Sequence, residues 1–272
     1  FDIQDRMPKE GSTSITVSNE FADRVANYVS DSSGMVTSVP QAVYQAWKDY
    51  EFRNLEVKGP KPVKIGNKLI GHDQPVFVIA EIGINHNGEL NTAKKMIDLA
   101  VEKGCDAVKF QKRTLDVVYT QEFMEGPRDT PWGKTNRDER IQLEFGEDEY
   151  REIDRYCKEK GIIWFASPWD EGSVDFLEKF NVPCYKIASA SLTDRNLLEK
   201  IKATGKPIIL SIGMTNMEKV VEAMKILGTE NTVLLHCTST YPSRDDELDI
   251  NVIHTLRKLF DCPIGFSCHA PG

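Results

Sequence analysis

The sequence has no long hydrophobic run, no excess of basic charge and no signal-like beginning. None of its apolar stretches approaches the roughly 20 residues that a membrane-spanning helix needs, and its start lacks the charged-then-apolar pattern of a signal peptide. The formal net charge is -8, whereas nucleic acids and anionic membrane surfaces select basic faces. We therefore expect a soluble cytoplasmic protein with no nucleic-acid or membrane partner.

Cysteine clusters and glycine-rich phosphate loops are also missing. The six cysteines are scattered without close spacing, which in a chain of 272 residues fits reduced thiols better than a disulfide framework. A doubly wound open sheet would normally carry a glycine-rich loop after an early strand. The sequence has no such loop there, which counts against that architecture.

What the chain does have, from residue 75 onward, is a regular alternation of apolar strands and amphipathic helices. Strands that alternate with helices of roughly ten residues indicate βαβ units and a parallel sheet. We predict an α/β fold of the TIM (β/α)8 type that ends after its seventh strand, with the polar residues at the strand ends meeting at one mouth. The predicted strands are 76–80, 107–111, 162–166, 184–188, 207–212, 232–237 and 263–267.

The segment 80–88, Ala-Glu-Ile-Gly-Ile-Asn-His-Asn-Gly, places polar groups directly after an apolar run. Residues 76–80 form that run, and a continuous run of this kind predicts a strand buried on both faces. Glu81 then lies at the C-terminal end of the strand. The next helix is expected to be capped by Asn91 or Thr92 and stopped by Gly104.

Several motifs together resemble the sialic acid synthase family. They are the 80–88 segment, Val-Lys-Phe-Gln (108–111), Tyr-Lys-Ile-Ala-Ser (185–189), Leu-Ser-Ile-Gly-Met (210–214), His-Cys-Thr-Ser-Thr-Tyr-Pro (236–242) and Gly-Phe-Ser-Cys-His (265–269). Trp-Gly-Lys-Thr (132–135) and Leu-Glu-Phe (143–145) resemble its vertebrate-like N-acetylneuraminate synthase branch. Residues 63–71 resemble the β-hairpin that precedes the family's barrel, so the resemblance covers 63–270.

The resemblance implies condensation of phosphoenolpyruvate with an N-acyl amino sugar such as N-acetylmannosamine, giving a nine-carbon 2-keto acid. Phosphoenolpyruvate carries a phosphate and a carboxylate, so its site needs fixed cations and hydroxyl or backbone donors. A single lysine or serine is more often a solvated or capping residue, but six at matching strand ends favour a site. By resemblance, these contacts are Lys109, Lys186, Ser167, Ser189, Ser211 and Ser267, with both lysines taken as catalytic, and Gln111, Ser239 and Tyr241 are further substrate contacts.

Glu81 resembles the family's active-site glutamate, which moves protons during water addition or phosphate loss. A purely structural carboxylate bonded to Lys109 is the alternative, and the two readings are compatible. Asn85 and His86 are interpreted as loop-shaping residues rather than catalysts.

His269 resembles one of two family histidines that hold a divalent metal, Mn²⁺ or Mg²⁺. Imidazole suits manganese, and a bound metal would polarise the sugar aldehyde. The second histidine belongs to the eighth strand, which lies beyond Gly272. His236 is interpreted first as a structural strand residue. A zinc site of His236, Cys237, Cys268 and His269 is disfavoured because adjacent strand residues point to opposite faces.

Three departures from the family pattern bear on the substrate. Ser191 stands where an acidic residue is common, Cys268 replaces the usual aspartate or glycine, and the eighth strand and C-terminal antifreeze-like domain are absent. We expect that remainder to lie on another chain, to have been removed, or to lie outside these 272 residues. The resemblance implies a homodimer if the full-length protein carries it.

Two domains are predicted, an N-terminal extension (1–62) of unknown role and a phosphoenolpyruvate-condensing barrel (63–272). Short helices are expected near 20–28 and after Ser38 in the extension. Three functions stay open: an N-acetylneuraminate-type synthase, a legionaminate- or pseudaminate-type synthase that uses another hexosamine, and an inactive barrel fragment or assembly subunit.

Overall fold

The computed structural model describes residues 59–270 of the chain. All of them from Pro60 onward belong to one compact unit, Pro60–Gly272. No helix within them is both long enough and apolar enough to cross a membrane. The helices expected near 20–28 and after Ser38 lie outside the described residues, and the role of the extension stays a prediction.

The described chain opens with the expected β-hairpin, β1 (Val63–Ile65) and β2 (Lys68–Ile70). The two strands pair antiparallel, with Val63 opposite Ile70. Gly66 lies in the tight turn between them with φ +57°, a conformation that glycine adopts without steric cost. Val63 and Ile65 are buried, so one face of the hairpin packs on the main body of the fold.

Strands and helices then alternate along the rest of the chain. The strands are β3 (Ile79–Gly83), β4 (Ala107–Lys112), β5 (Pro127–Thr130), β6 (Gly133–Thr135), β7 (Ile163–Pro168), β8 (Tyr185–Ile187), β9 (Ile208–Ser211), β10 (Thr232–Cys237) and β11 (Ile264–Ser267). The helices are α1 (Leu90–Glu102), α2 (Leu115–Val118), α3 (Gln121–Glu125), α4 (Asn136–Leu143), α5 (Glu147–Lys160), α6 (Glu171–Glu178), α7 (Arg195–Ala203), α8 (Met217–Leu227) and α9 (Val252–Leu259).

Seven of these strands are parallel to their neighbours, as predicted. They form a three-stranded sheet, β3-β4-β7, and a four-stranded sheet, β8-β9-β10-β11. β7 and β8 lie side by side without a hydrogen-bonded ladder. The α/β class with parallel sheets is therefore confirmed. No ladder among residues 59–270 joins β11 to β3, and the TIM-barrel type that ends after its seventh strand stays a prediction.

The connecting helices bury the apolar faces that their sequence periodicity predicts. In α1 the buried residues are Ala93, Ile97 and Ala100, spaced three and four apart along one face. α5 ends at Gly161, which has φ +70° and closes the helix in the left-handed conformation. The bounds of β10 agree residue for residue with the predicted strand 232–237.

A cluster of aromatic rings fixes the end of β4 that carries the site. Tyr150 of α5 packs edge-on to Phe110, with ring centroids 6.2 Å apart, and its ring also lies 5.6 Å from that of Trp164. The Tyr150 hydroxyl donates to the backbone oxygen of Gln111 over 2.7 Å. The last residues of β4 are therefore held from outside the sheet by a buried helix side chain.

The predicted position of the first parallel strand was wrong. β3 comprises Ile79–Gly83 rather than 76–80, and Val76 is 83% exposed instead of buried. Glu81 is thus inside the strand, opposite Lys109 of β4. The apolar pattern alone placed this strand three residues too early. Among the described strands β3 pairs only with β4, so that pairing sets the position of β3, and burial on both faces does not.

A further expectation was wrong. α1 begins at Leu90 with Glu89 as its N-cap residue, and neither Asn91 nor Thr92 caps it. The polar stretch between β4 and α5 forms α2, α3, the antiparallel β5-β6 hairpin and α4. Thr135 caps α4 in a capping box with Asp138, the local signal from which that helix was predictable.

Candidate active site

Glu81, Lys109, Gln111 and Ser167 form one bonded group across the three strands β3, β4 and β7. Nζ of Lys109 forms an ion pair with Oε2 of Glu81 and donates to Oγ of Ser167 over 3.2 Å. Nε2 of Gln111 donates to Oε1 of Glu81 over 3.1 Å. Strand register explains the group, because Glu81 lies opposite Lys109 and Gln111 lies opposite Ser167. Both oxygens of the carboxylate thus have a donor.

Gly83 makes room for this group at a bulge at the end of β3. Its φ is +56°, and a Cβ atom there would lie 2.8 Å from Oε1 of Glu81 and 3.1 Å from Nε2 of Gln111. A side chain at this position would collide with the pair. Glycine at position 83 therefore allows the Glu81 carboxylate and the Gln111 amide to come close together.

Lys186 and Ser211 form a second, buried group on the adjacent strands β8 and β9. Nζ of Lys186 donates to Oγ of Ser211 over 2.6 Å and to the backbone oxygen of Ile187 over 3.1 Å. Lys186 is 6% exposed and forms no ion pair with another described residue. Burial and, after it, the charge of Lys109 lower the pKa of Lys186 to about 7.

Ser189 and Ser239 meet around Gly213, in the loop after β9. The hydroxyl of Ser189 accepts from the backbone N–H of Gly213 over 3.0 Å. A Cβ atom on Gly213 would lie 2.2 Å from Oγ of Ser239 and 3.0 Å from Oγ of Ser189. The glycine therefore allows two serines from different loops to face the same small space.

Tyr241 and His269 form the outer edge of the site. The Tyr241 hydroxyl and Nε2 of His269 are 3.0 Å apart, and the ring centroids are 4.1 Å apart. Burial lowers the pKa of His269, the charge of Glu81 opposes that shift, and Lys186 and Lys109 add to it. His269 therefore lies within electrostatic reach of Glu81 and Lys109 in the first sheet and of Lys186 in the second. Ser267 lies at the end of β11, opposite Cys237, without a side-chain bond to the other site residues described.

The described residues supply only part of a metal site. Imidazole and carboxylate are suitable ligand types, but within 59–270 no three His, Cys, Asp or Glu side chains lie together to hold an ion. This also excludes, for those residues, the zinc cluster considered from the sequence. Nε2 of His236 is 2.7 Å from the backbone oxygen of Leu248 and its ring stacks on Phe266, which supports its structural interpretation.

His86 shapes the loop after β3, as expected from the sequence. Its ring stacks on Phe145 at a centroid distance of 3.9 Å, and its Nδ1 accepts from the backbone N–H of Gly88 over 3.1 Å. Burial lowers the pKa of His86 to about 4. The ring is therefore neutral at pH 7 and fixes the loop by packing and by one hydrogen bond.

Sequence reasoning missed Arg113, a buried cation that contacts the site. Its guanidinium donates to Oε1 of Gln111 and lies over the ring of Trp169, 4.4 Å from the centroid. Strand periodicity was the available signal, since residues 109, 111 and 113 fall on the same face of an extended chain. Its burial was not predictable from that pattern, because it depends on the distant segment 143–145.

Comparison with known proteins gives three similar relatives. The human N-acetylneuraminate-9-phosphate synthase is 40% identical over 210 residues, 75% of this chain and 58% of that protein. The N,N'-diacetyllegionaminic acid synthase of Campylobacter jejuni is 33% identical over 207 residues, 72% of this chain and 61% of that protein. A crystal structure of N-acetylneuraminic acid synthetase from Leptospira borgpetersenii, in complex with citrate, superposes with a TM-score of 0.70 at 31% identity, covering 78% of this chain and 72% of the other.

The chain spans about three-fifths of the length of the two curated relatives. A family model described as the NeuB family matches residues 96–272, which is more than half of the chain. All the site residues named above except Glu81, Gly83 and His86 lie within that match. The chain therefore belongs to the NeuB family.

Proposed function

We propose that the protein condenses phosphoenolpyruvate with an N-acyl amino sugar and water, forming a 2-keto-3-deoxy nonulosonic acid and inorganic phosphate. C3 of phosphoenolpyruvate attacks the aldehyde carbon of the open-chain sugar, water adds at C2, and phosphate leaves from C2. N-acetylmannosamine or a similar hexosamine is the proposed acceptor. Family membership supports the reaction class, and the site geometry supports the role of each residue.

The buried, unpaired cation of Lys186 is the observation that carries this proposal. Burial of a charge without a counter-ion is costly, and Lys186 forms no ion pair with another described residue. The second lysine, Lys109, is close enough to lower its pKa further. An anion bound between the two lysines and Ser211 would supply the missing counter-charge, and the phosphate and carboxylate of phosphoenolpyruvate fit that requirement.

Glu81 is the proposed proton-handling group. Its carboxylate is fixed by Lys109 and Gln111, and its side chain is 39% exposed toward the mouth. A fixed carboxylate in such a position can accept a proton from the attacking water and return one to the departing phosphate. The ion pair with Lys109 fixes the direction in which the Glu81 carboxylate points. A structural role and a catalytic role for Glu81 are therefore compatible.

Ser239 and Tyr241 are the proposed contacts of the amino sugar. Ser167, Ser189 and Ser267 are further proposed contacts of phosphoenolpyruvate, and Gln111 is a further substrate contact. The human and Campylobacter jejuni relatives are named for different products, so family membership alone leaves the hexosamine open. A legionaminate- or pseudaminate-type synthase is the alternative within the same class, and Ser191 and Cys268 are the sequence departures that favour testing it.

A requirement for Mn²⁺ or Mg²⁺ is part of the proposal, with His269 as the one proposed ligand. Since the described residues do not complete a metal site, we assign no catalytic step to the ion.

The homodimer is likewise a proposal, which light scattering of the native protein would test.

The deciding experiment measures phosphate release by the native full-length protein. We expect release only when phosphoenolpyruvate, a divalent metal and an amino sugar are present together, and profiling with several hexosamines identifies the acceptor. Absence of release with every hexosamine would overturn the proposal. If the protein is instead an inactive fragment or assembly subunit, calorimetry with phosphoenolpyruvate distinguishes the cases, because a lost anion site gives no heat of binding.

A further inference from the structure

Arg113 is joined to Glu81 by a relay of two hydrogen bonds. Nη2 of Arg113 donates to Oε1 of Gln111, and Nε2 of the same amide donates to Oε1 of Glu81 over 3.1 Å. Arg113 is 8% exposed, so its cation lies inside the protein beside the site. None of the steps proposed above uses it.

The guanidinium rests on one aromatic ring, and the backbone beneath it is fixed by hydrogen bonds. The ring of Trp169 lies 4.4 Å from it and forms a flat platform. The backbone N–H of Arg113 donates to Oε1 of Glu144 over 2.9 Å. The next residue is fixed as well, since the N–H and hydroxyl of Thr114 donate to Asp170 over 2.7 and 2.9 Å. Arg113 therefore reaches Gln111 from a fixed base.

The chemistry of the two side chains makes the relay directional. Guanidinium has only donors, so it must face the oxygen of the Gln111 amide, and the NH₂ group must then face Glu81. The Glu81 carboxylate, which only accepts, favours the same amide orientation, so the two contacts reinforce each other. Without Arg113 the amide is held at its NH₂ end alone, and the Glu81 carboxylate beside Lys109 loses a rigid support.

We propose that Arg113 is a positioning residue that fixes the amide orientation of Gln111 and, through it, the carboxylate of Glu81. The kinetic consequence rests on the proposed function, in which Glu81 handles protons. The effect on the Gln111 amide does not rest on the proposed function, because the orientation of this amide can be measured without any turnover.

The first test observes the Gln111 amide directly in the native full-length protein labelled with ¹⁵N at glutamine. Gln111→Ala identifies the side-chain NH₂ signals. We expect two resolved, slowly exchanging proton signals in the wild type, and shifted, faster-exchanging signals in Arg113→Met. The control is Arg195→Met, because Arg195 is exposed on α7 and pairs with Glu199. Unchanged Gln111 signals in Arg113→Met would overturn the proposal, whether or not the protein is active.

The second test measures kinetics on the same variants. Loss of a hydrogen bond from a charged group predicts a fall in kcat of about tenfold to a hundredfold in Arg113→Met. KM for phosphoenolpyruvate should change little, because Lys186 and Ser211 are untouched. Arg113→Lys, which keeps a cationic donor, should recover part of the loss. Arg113→Gln, which removes the cation, replaces Arg113→Met in both tests if that variant does not fold.

A double-mutant cycle separates positioning from a general structural effect. If Arg113 acts through Gln111, the double variant Arg113→Met/Gln111→Ala should be no slower than Gln111→Ala alone. Fully additive losses would overturn the proposal. An inactive wild type would refute the proposed function instead, and the amide signals would still decide the role of Arg113.

Discussion

Nζ of Lys186 donates to Oγ of Ser211 over 2.6 Å, from one strand of the second sheet to the next. Both side chains are buried, and the lysine has no carboxylate partner among the described residues. The hydroxyl satisfies one donor of the ammonium group without neutralising its charge. A buried lysine without a counter-charge lowers the stability of the free protein, and an anion bound at the proposed site would offset that cost.

Lys186→Met should separate stability from binding. Replacing a buried lysine, whose pKa burial lowers to about 7, with an apolar side chain of similar length should stabilise the free protein at pH 7 by roughly 2–4 kcal/mol, after the loss of the bond to Ser211. The same variant should lose the heat of phosphoenolpyruvate binding, because the counter-charge is gone. Urea unfolding and calorimetry measure the two effects. A less stable variant that still binds phosphoenolpyruvate would contradict this prediction.

Lys112 offers the matched control, because it is a mostly buried lysine on β4 that does have a partner. Its Nζ lies 2.8 Å from Oε1 of Glu144. Lys112→Met leaves that carboxylate without its cation, so we expect a loss of about 3–5 kcal/mol of unfolding free energy, opposite in sign to Lys186→Met. Equal changes of unfolding free energy in Lys112→Met and Lys186→Met would show that pairing with a carboxylate does not decide how a buried lysine affects stability.

Glu81→Gln tests the proton-handling role. The amide keeps the size of the side chain and can still face Lys109, but it cannot accept a proton. We expect kcat to fall by about a hundredfold to ten-thousandfold, with phosphoenolpyruvate still bound in calorimetry. Steady-state phosphate release gives the rate. If kcat stays within about threefold of the wild type, Glu81 is structural only.

Gly213→Ala tests the space shared by Ser189 and Ser239. The new methyl group would lie 2.2 Å from Oγ of Ser239 and 2.9 Å from the backbone oxygen of Cys237, so something must shift. We expect about 1–3 kcal/mol of destabilisation, as for other overpacked sites, and a raised KM for the amino sugar. Adding Ser239→Ala should relieve the stability loss in part, and full additivity of the two changes would contradict the assigned contact.

Much of this arrangement was predictable from local patterns. The lysines and serines at the ends of β4, β7, β8 and β9 were found because apolar strands stop at polar residues, and a parallel fold brings such ends together. The position of β3 was not predictable in that way. The apolar pattern at 76–80 continues into the true strand, and only its pairing with β4 sets Glu81 opposite Lys109.

The relationships inside the site were also beyond local reasoning. The sequence shows two similar lysines, yet Lys109 pairs with Glu81 whereas Lys186 is buried without a carboxylate. That difference arises from which strands become neighbours. Arg113 is a comparable case, because residues far along the chain, Glu144 and Trp169, convert an arginine after a strand into a buried positioning group.

His86 should make stability depend on pH between about 6.5 and 4. Burial lowers its pKa from 6.5 to about 4, so as pH falls through this window the unfolded chain binds a proton that the folded protein does not bind. Stability contributed by the neutral ring is therefore complete above pH 6.5 and declines toward pH 4, by roughly 3 kcal/mol in all. In His86→Phe, which keeps the stack on Phe145, that part of the decline should be absent, whereas His72→Phe, at an exposed site, should retain it. Urea unfolding at several pH values measures the difference, and parallel stability curves for wild type and His86→Phe would show that the ring does not resist protonation.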